Sequence, residues 1–282
     1  MSDATVLSFD DALRARRSEA PFLTDASLRA AQTRINSNDC HIAFERLTLT
    51  NKLKTEETVV FQDLSIGFPK GRKIVILGHR GVGKLKVFEL AHQKLVPKRG
   101  RVIVNSRVSW PTQSANYMDN RVSVRENIIF LSRVLGLSPR NMTGTLLEFC
   151  SLEPKVLREP LKNLPNWARK RFGLVFLFAC DFDCHLVNGE LRGQALKLTD
   201  AQTEQALEVI YGRDYIATCD NPKLIPGNCD LVYLLHEGVF YLFEDIDKAI
   251  AVFQMLPPPA IGPVEQKDDY GEDEDELQEV LL

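Results

Sequence analysis

The chain has 282 residues, 44% hydrophobic and 26% charged, with a net charge of −3 at neutral pH, which suits a soluble globular protein of one large domain or two modest ones. Its longest apolar run, Phe172–Cys180, is too short to cross a bilayer, so any membrane role has to come through a partner. The charge is uneven: Glu265–Leu282 carry nine acids and one base, a local −8, which leaves +5 for the rest. A mildly basic body suits an anionic membrane face or an acidic partner, and equally an ordinary solvated surface. The six cysteines include no C-x-x-C pair, so they read as scattered reduced thiols rather than a zinc or redox motif.

In chain order, residues 1–40 are polar, with Arg14, Arg16 and Arg17 set among acids, and read as a flexible or partly helical arm. No apolar signal core is read at the N-terminus. His41–Thr50 alternates as a strand does, through Ile42, Phe44, Leu47 and Leu49. Val59–Phe68 predicts a second strand, and Pro69-Lys70-Gly71 turns the chain into a third, Lys73–Leu77, whose continuous apolar run marks a buried central strand. A glycine-rich turn over Gly78–Gly83 and a helix over Lys84–Leu95 follow. Short strands are expected at Arg101–Val104 and Arg107–Trp110, and mostly helix over 122–180. Strands return at His185–Val187, Tyr215–Thr218 and Leu231–Leu235, with a closing helix over Asp245–Met255. Four prolines between 257 and 263 break regular structure, and the acidic tail is expected to be disordered. Strand, loop, helix and then alternating strands and helices is the α/β order.

Gly78-His79-Arg80-Gly81-Val82-Gly83-Lys84 matches the phosphate-loop pattern G-x-x-x-x-G-K between a buried strand and a helix. Glycines let successive backbone N–H groups turn toward phosphate oxygens, and Lys84 would reach the β- and γ-phosphates. The next position needs a hydroxyl for Mg²⁺, and Leu85 cannot ligate a metal. The loop therefore reads either as a weak nucleotide binder or as a structural relic.

From Ile42 to Met255 the chain resembles the ATP-binding subunits of ABC-type exporters of capsular and cell-surface polysaccharide. The resemblance rests on Val60-Phe61-Gln62-Asp63-Leu64, Arg107-Val108-Ser109-Trp110-Pro111, Val124-Arg125-Glu126-Asn127, Asp181-Phe182-Asp183, Leu235-His236-Glu237-Gly238 and the ending Phe243–Ile250. It implies a P-loop core with an antiparallel β-subdomain and a helical subdomain over residues 41–256, an arm over 1–40, and a Pro-rich linker with an acidic tail over 257–282. It further implies a membrane permease as partner, another cassette as homodimer or heterodimer partner, a place on the inner face of the cytoplasmic membrane, and no nucleic acid.

At the positions that carry chemistry in that family the chain departs. The adenine-stacking aromatic falls at Asn51, the γ-phosphate-sensing glutamine at Asp119, and the signature at Pro165-Asn166-Trp167-Ala168. The metal carboxylate becomes Asn188, the catalytic base Gly189, and the switch histidine Asp220, with Glu190 able to serve as base only if the loop slips by one residue. ATP hydrolysis needs a metal held by oxygen ligands, a base and charge stabilisation acting as a unit. The expectation is a chain with no catalytic residues and no metal site. Gly78, Gly81, Gly83 and Lys84 remain to hold ATP weakly, without Mg²⁺, and Arg121, Arg125 and Glu126 to meet a partner. The reading is a non-hydrolysing structural or regulatory subunit of polysaccharide export; the alternative is an active ATPase energising that export. The basic run Arg169-Lys170-Arg171 reads as a solvated helix face or a phosphate contact, and Trp167, Phe172, Phe176 and Phe178 as core.

Overall fold

The computed structural model describes residues 36–53, 56–112, 118–189 and 199–258. The arm up to residue 35, the tail from residue 259 and Glu190 lie outside them, as does the side chain of Phe178.

Strands β1 (Cys40–Leu53), β2 (Glu56–Pro69) and β4 (Arg99–Val104) make an antiparallel sheet in the order β2-β1-β4. Strands β3 (Lys73–Leu77), β5 (Cys184–Asn188), β6 (Asp214–Cys219), β7 (Leu231–His236) and β8 (Val239–Phe243) make the core sheet, ordered β5-β6-β3-β7-β8. Its pairs are parallel except β7 with β8. The described residues also form six α-helices, beside four short 3-10 turns: α1 (Lys86–Ala91), α2 (Val124–Val134), α3 (Pro139–Cys150), α4 (Asn166–Ala179), α5 (Asp200–Tyr211) and α6 (Ile246–Met255).

Strand alternation distributes the core. Ile74 and Ile76 of β3 turn to the face covered by the small sheet, where Phe44, Phe61 and Phe68 join Phe88 of α1. Val75 and Leu77 turn to the other face, against Val252 and Phe253 of α6 and Leu174 and Leu177 of α4. Phe172 and Phe176 of α4 point instead into a helical cluster with Ile128 of α2 and Leu146 of α3. Helix α4 is apolar on both sides because it joins two cores.

Four expectations are corrected. The helix after the loop spans only Lys86–Ala91, because Gln93 adopts φ 57 and the N–H groups of Lys94 and Leu95 turn back to Glu89. Arg107–Trp110 is not a strand but a single bridge, Val108 with Cys184. There the Ser109 hydroxyl accepts from Leu186 N–H at 2.9 Å and the Thr112 hydroxyl from Asn188 N–H at 3.0 Å, so side chains carry pairing a backbone ladder would otherwise make. The basic run at 169–171 is not a solvated face: Arg171 is buried, its guanidinium 4.8 Å from the centre of the Trp167 ring and 3.3 Å from the Phe149 carbonyl. Helix α5 and strand β8 were not foreseen; Thr199 and Gln202 form a capping box that starts the former.

Candidate functional site: the phosphate loop and the end of the parallel sheet

Strands β3, β5 and β6 run parallel with β6 between the others, in register at Leu77 with Cys219 and at Asn188 with Thr218. The loop after β3, the pair Asn188-Gly189 and Asp220 therefore emerge side by side at the carboxyl edge of the sheet, where open α/β sheets bind ligands. Gly78 N–H donates to the Cys219 carbonyl at 3.1 Å and fixes the first turn of the loop to β6.

Two glycines of the loop are required by its shape. A Cβ at Gly78 would lie 2.8 Å from the Leu235 carbonyl oxygen, and Gly83 holds φ +96 with the Val60 side chain 3.0 Å from where its Cβ would be. Lys84 curls back over the loop: its ammonium donates to the carbonyls of Gly78 at 2.7 Å and His79 at 2.9 Å. Leu85 is half-buried and packs with Val82 against the cluster between the two sheets. His79 stacks on Phe253 of α6, ring centres 4.4 Å apart, and its Nε2 lies 3.2 Å from the Leu256 carbonyl. Burial is the largest influence on His79 and pushes its pKa below the usual histidine value, with the nearby Lys84 charge acting in the same direction.

At the end of β5 the Asn188 side-chain oxygen accepts from the Thr218 hydroxyl at 3.1 Å, and that hydroxyl accepts in turn from Gly189 N–H at 3.1 Å. Gly189 sits at φ +62, and Asp220 is exposed one residue beyond β6. The edge thus presents glycine backbone and the Lys84 ammonium, with the exposed Asp220 carboxylate beside them, while Leu85, Asn188 and Gly189 carry no hydroxyl or carboxylate.

The other predicted residues belong to the helical part. Asp119 N–H donates to the buried Asn127 side chain at 2.9 Å, and the Asp119 carboxylate accepts from Arg121 N–H at 2.8 Å. Glu126 completes a capping box with Ser123 at the start of α2, and Arg125 is exposed beside it. Asn51 is exposed on β1, opposite Thr58. Thr112, Thr218 and the loop's His79 contact with α6 have no sequence signal. Each acquires its role from a neighbour distant in the chain.

The fold is that of an ABC ATP-binding cassette. A solved "ATP binding subunit of ABC transporter" superposes with TM-score 0.58 at 14% identity, over 75% of this chain and 93% of that one. The dimeric ATP-binding cassette MJ0796 bound to ADP and Pi superposes with TM-score 0.54 at 14% identity, over 72% and 98%. No family model matches the chain. In sequence, its homologues are ATP-binding proteins of capsule and polysaccharide export. It is 26% identical to the capsule polysaccharide export ATP-binding protein CtrD of Neisseria meningitidis serogroup B, over 70% of this chain and 91% of that protein. It is 25% identical to the polysialic acid transport ATP-binding protein KpsT of Escherichia coli, over 76% and 98%. The ATP-binding protein BexA of Haemophilus influenzae is 25% identical, over 67% and 87%. No described helix is long and apolar enough to cross a membrane.

Proposed function

We propose that this chain is a cassette subunit of a capsular or surface polysaccharide exporter that no longer turns ATP over and acts by contact, as a structural or regulatory part. The observation that carries this reading is the end of β5. Where a metal carboxylate and a base would be needed, the chain has Asn188 tied to the Thr218 hydroxyl and Gly189 at φ +62. A base alone is worth roughly 10²–10⁴ in rate, and its loss together with the metal ligands removes a unit rather than a part. Leu85 supports the same reading, since its side chain packs against the cluster between the sheets.

The loop glycines and Lys84 keep some hold on phosphate. ATP is expected to bind with a dissociation constant above about 0.1 mM and to be indifferent to Mg²⁺. The partners this reading implies are a permease in the cytoplasmic membrane and a second cassette, its own copy or another. The exposed Arg121 and Arg125 at the start of α2 are the contacts we assign to the permease. Turnover measured on the purified chain, alone and with a co-purified permease, tests the proposal. Background rates that do not change in Lys84→Ala are expected; turnover abolished by that substitution would sink it.

A further inference from the structure

Helix α2 carries an apolar pair that the fold leaves outside. Phe130 is 62% exposed and Val134 65%, while Val124, Ile128 and Leu131 of the same helix are buried in the helical cluster. The pair is four residues apart and shares one face, and the exposed Arg133 stands three residues from Phe130 on that face. Four residues, Leu135–Ser138, join α2 to α3, and Arg140 is exposed in the first turn of α3. Neither guanidinium has a hydrogen-bond or ion-pair partner among the described residues. From Asn127 to Leu147 the chain holds these two arginines and no acid. The nearest acid, Glu126, has its carboxylate engaged by Ser123 at the start of α2.

The connection can leave water cheaply. The N–H groups of Leu135, Gly136 and Leu137 donate to the carbonyls of Leu131 at 2.9 Å, Arg133 at 3.2 Å and Ser132 at 2.7 Å. The Ser138 hydroxyl caps α3, and Pro139 has no N–H to satisfy. Backbone whose polar groups are already paired enters a headgroup layer at little cost. Apolar side chains flanked by arginines suit the boundary of headgroups and acyl chains, where a guanidinium pairs with phosphate through two hydrogen bonds. A second copy docked tip to tip would set the arginines against their equals. Two apolar side chains also fall far short of the roughly 800 Å² per partner that a stable protein interface buries.

We propose that the tip of the α2–α3 hairpin seats on an anionic membrane surface, with Phe130 and Val134 in the headgroup boundary and Arg133 and Arg140 on lipid phosphates. The inference takes its membrane from the proposed function, whose permease contacts Arg121 and Arg125 lie at the other end of α2, but its test involves neither permease nor ATP.

The test is co-sedimentation of the full chain with vesicles of phosphatidylcholine, and of phosphatidylcholine mixed with anionic phosphatidylglycerol. Binding to the mixed vesicles alone is expected. Each basic side chain at an anionic leaflet adds about fivefold to partition, so Arg133→Gln with Arg140→Gln should weaken binding about tenfold or more. Lys94→Gln with Arg99→Gln removes the same charge from exposed positions after α1 and should leave binding unchanged. Equal losses in the two pairs, or equal binding to both kinds of vesicle, overturn the proposal. A Phe130→Trp chain supplies a second reading: its added emission should be quenched by lipid brominated on the acyl chains. A chain that binds without that quenching overturns the seating of the tip. Binding to neither vesicle overturns the proposal and leaves the face to a protein partner, while turnover alone still decides the proposed function.

Discussion

The hydroxyl of Thr218 shows how a single side chain holds the candidate site. It is buried, donates to Asn188 and accepts from Gly189 N–H, and so locks the end of β5 to β6. Thr218→Val keeps the shape and removes both bonds, and the exposed Gly189 N–H can turn to water instead. A loss of about 0.5–1.5 kcal/mol in urea unfolding is expected. Gly189 gives the converse test. A Glu at this position would add the base that the proposed function takes to be absent, yet φ +62 is a conformation that side chains disfavour by about 1–2 kcal/mol. Gly189→Glu is therefore expected to lower stability by that amount and to leave ATP turnover at background, read by urea unfolding and phosphate release on one preparation. Turnover in the unsubstituted chain, undiminished in this variant, would count against the proposed function.

Among the elements, helix ends decide more than helix interiors. Ser123 and Glu126 cap α2 reciprocally, and the hydrogen bonds from Ser123 hold the Glu126 carboxyl below its ordinary pKa. The Glu126 carboxylate, expected from the sequence to meet a partner, is thus engaged in its own helix. Ser123→Ala should cost about 1 kcal/mol in thermal or urea unfolding. At the other end of the helical part, Arg171 of α4 reaches the Phe149 carbonyl in the last turn of α3, where Gln202 of α5 also donates at 3.0 Å. A cation at a helix C-terminus complements the dipole, and here it also packs on Trp167. Arg171→Ala is expected to cost about 2 kcal/mol, a part of which Lys at the same position should restore. A surface arginine would cost far less, which makes the urea midpoint decisive.

For the whole molecule, pH is the sharpest probe. Burial depresses the pKa of His79, His92, His185 and His236. A histidine depressed in the folded state binds fewer protons there than in the unfolded chain, so stability falls as pH drops through the unfolded value of about 6.5. Carboxylates move the same way at lower pH: Glu45, Asp119, Asp181 and Asp245 are held down by hydrogen bonds and nearby cations, and they lose that advantage as they protonate. The urea midpoint is therefore expected to fall steadily from pH 7.5 to pH 5 and further below pH 4.5. A flat profile between pH 7.5 and 5.5 would show that the four histidines titrate alike in both states.

Much of this was legible in the sequence, and the reason is local. The apolar run Lys73–Leu77 and the glycine pattern after it fix a strand and a loop from neighbouring residues alone, and both appear where expected. The alternation of β1 and the period of α6 are read as easily, because side-chain direction repeats every two or 3.6 residues. The identity of Leu85, Asn188 and Gly189 is likewise read directly from the chain. Only the tertiary structure decides what surrounds those positions. That Asn188 meets Thr218 depends on β6 lying between β5 and β3, a strand order no local pattern encodes. That Arg171 is buried depends on α4 being covered from two sides. That the phosphate loop touches α6 through His79 joins residues 177 apart in sequence, which come together only when the sheet forms and its flanking helix packs.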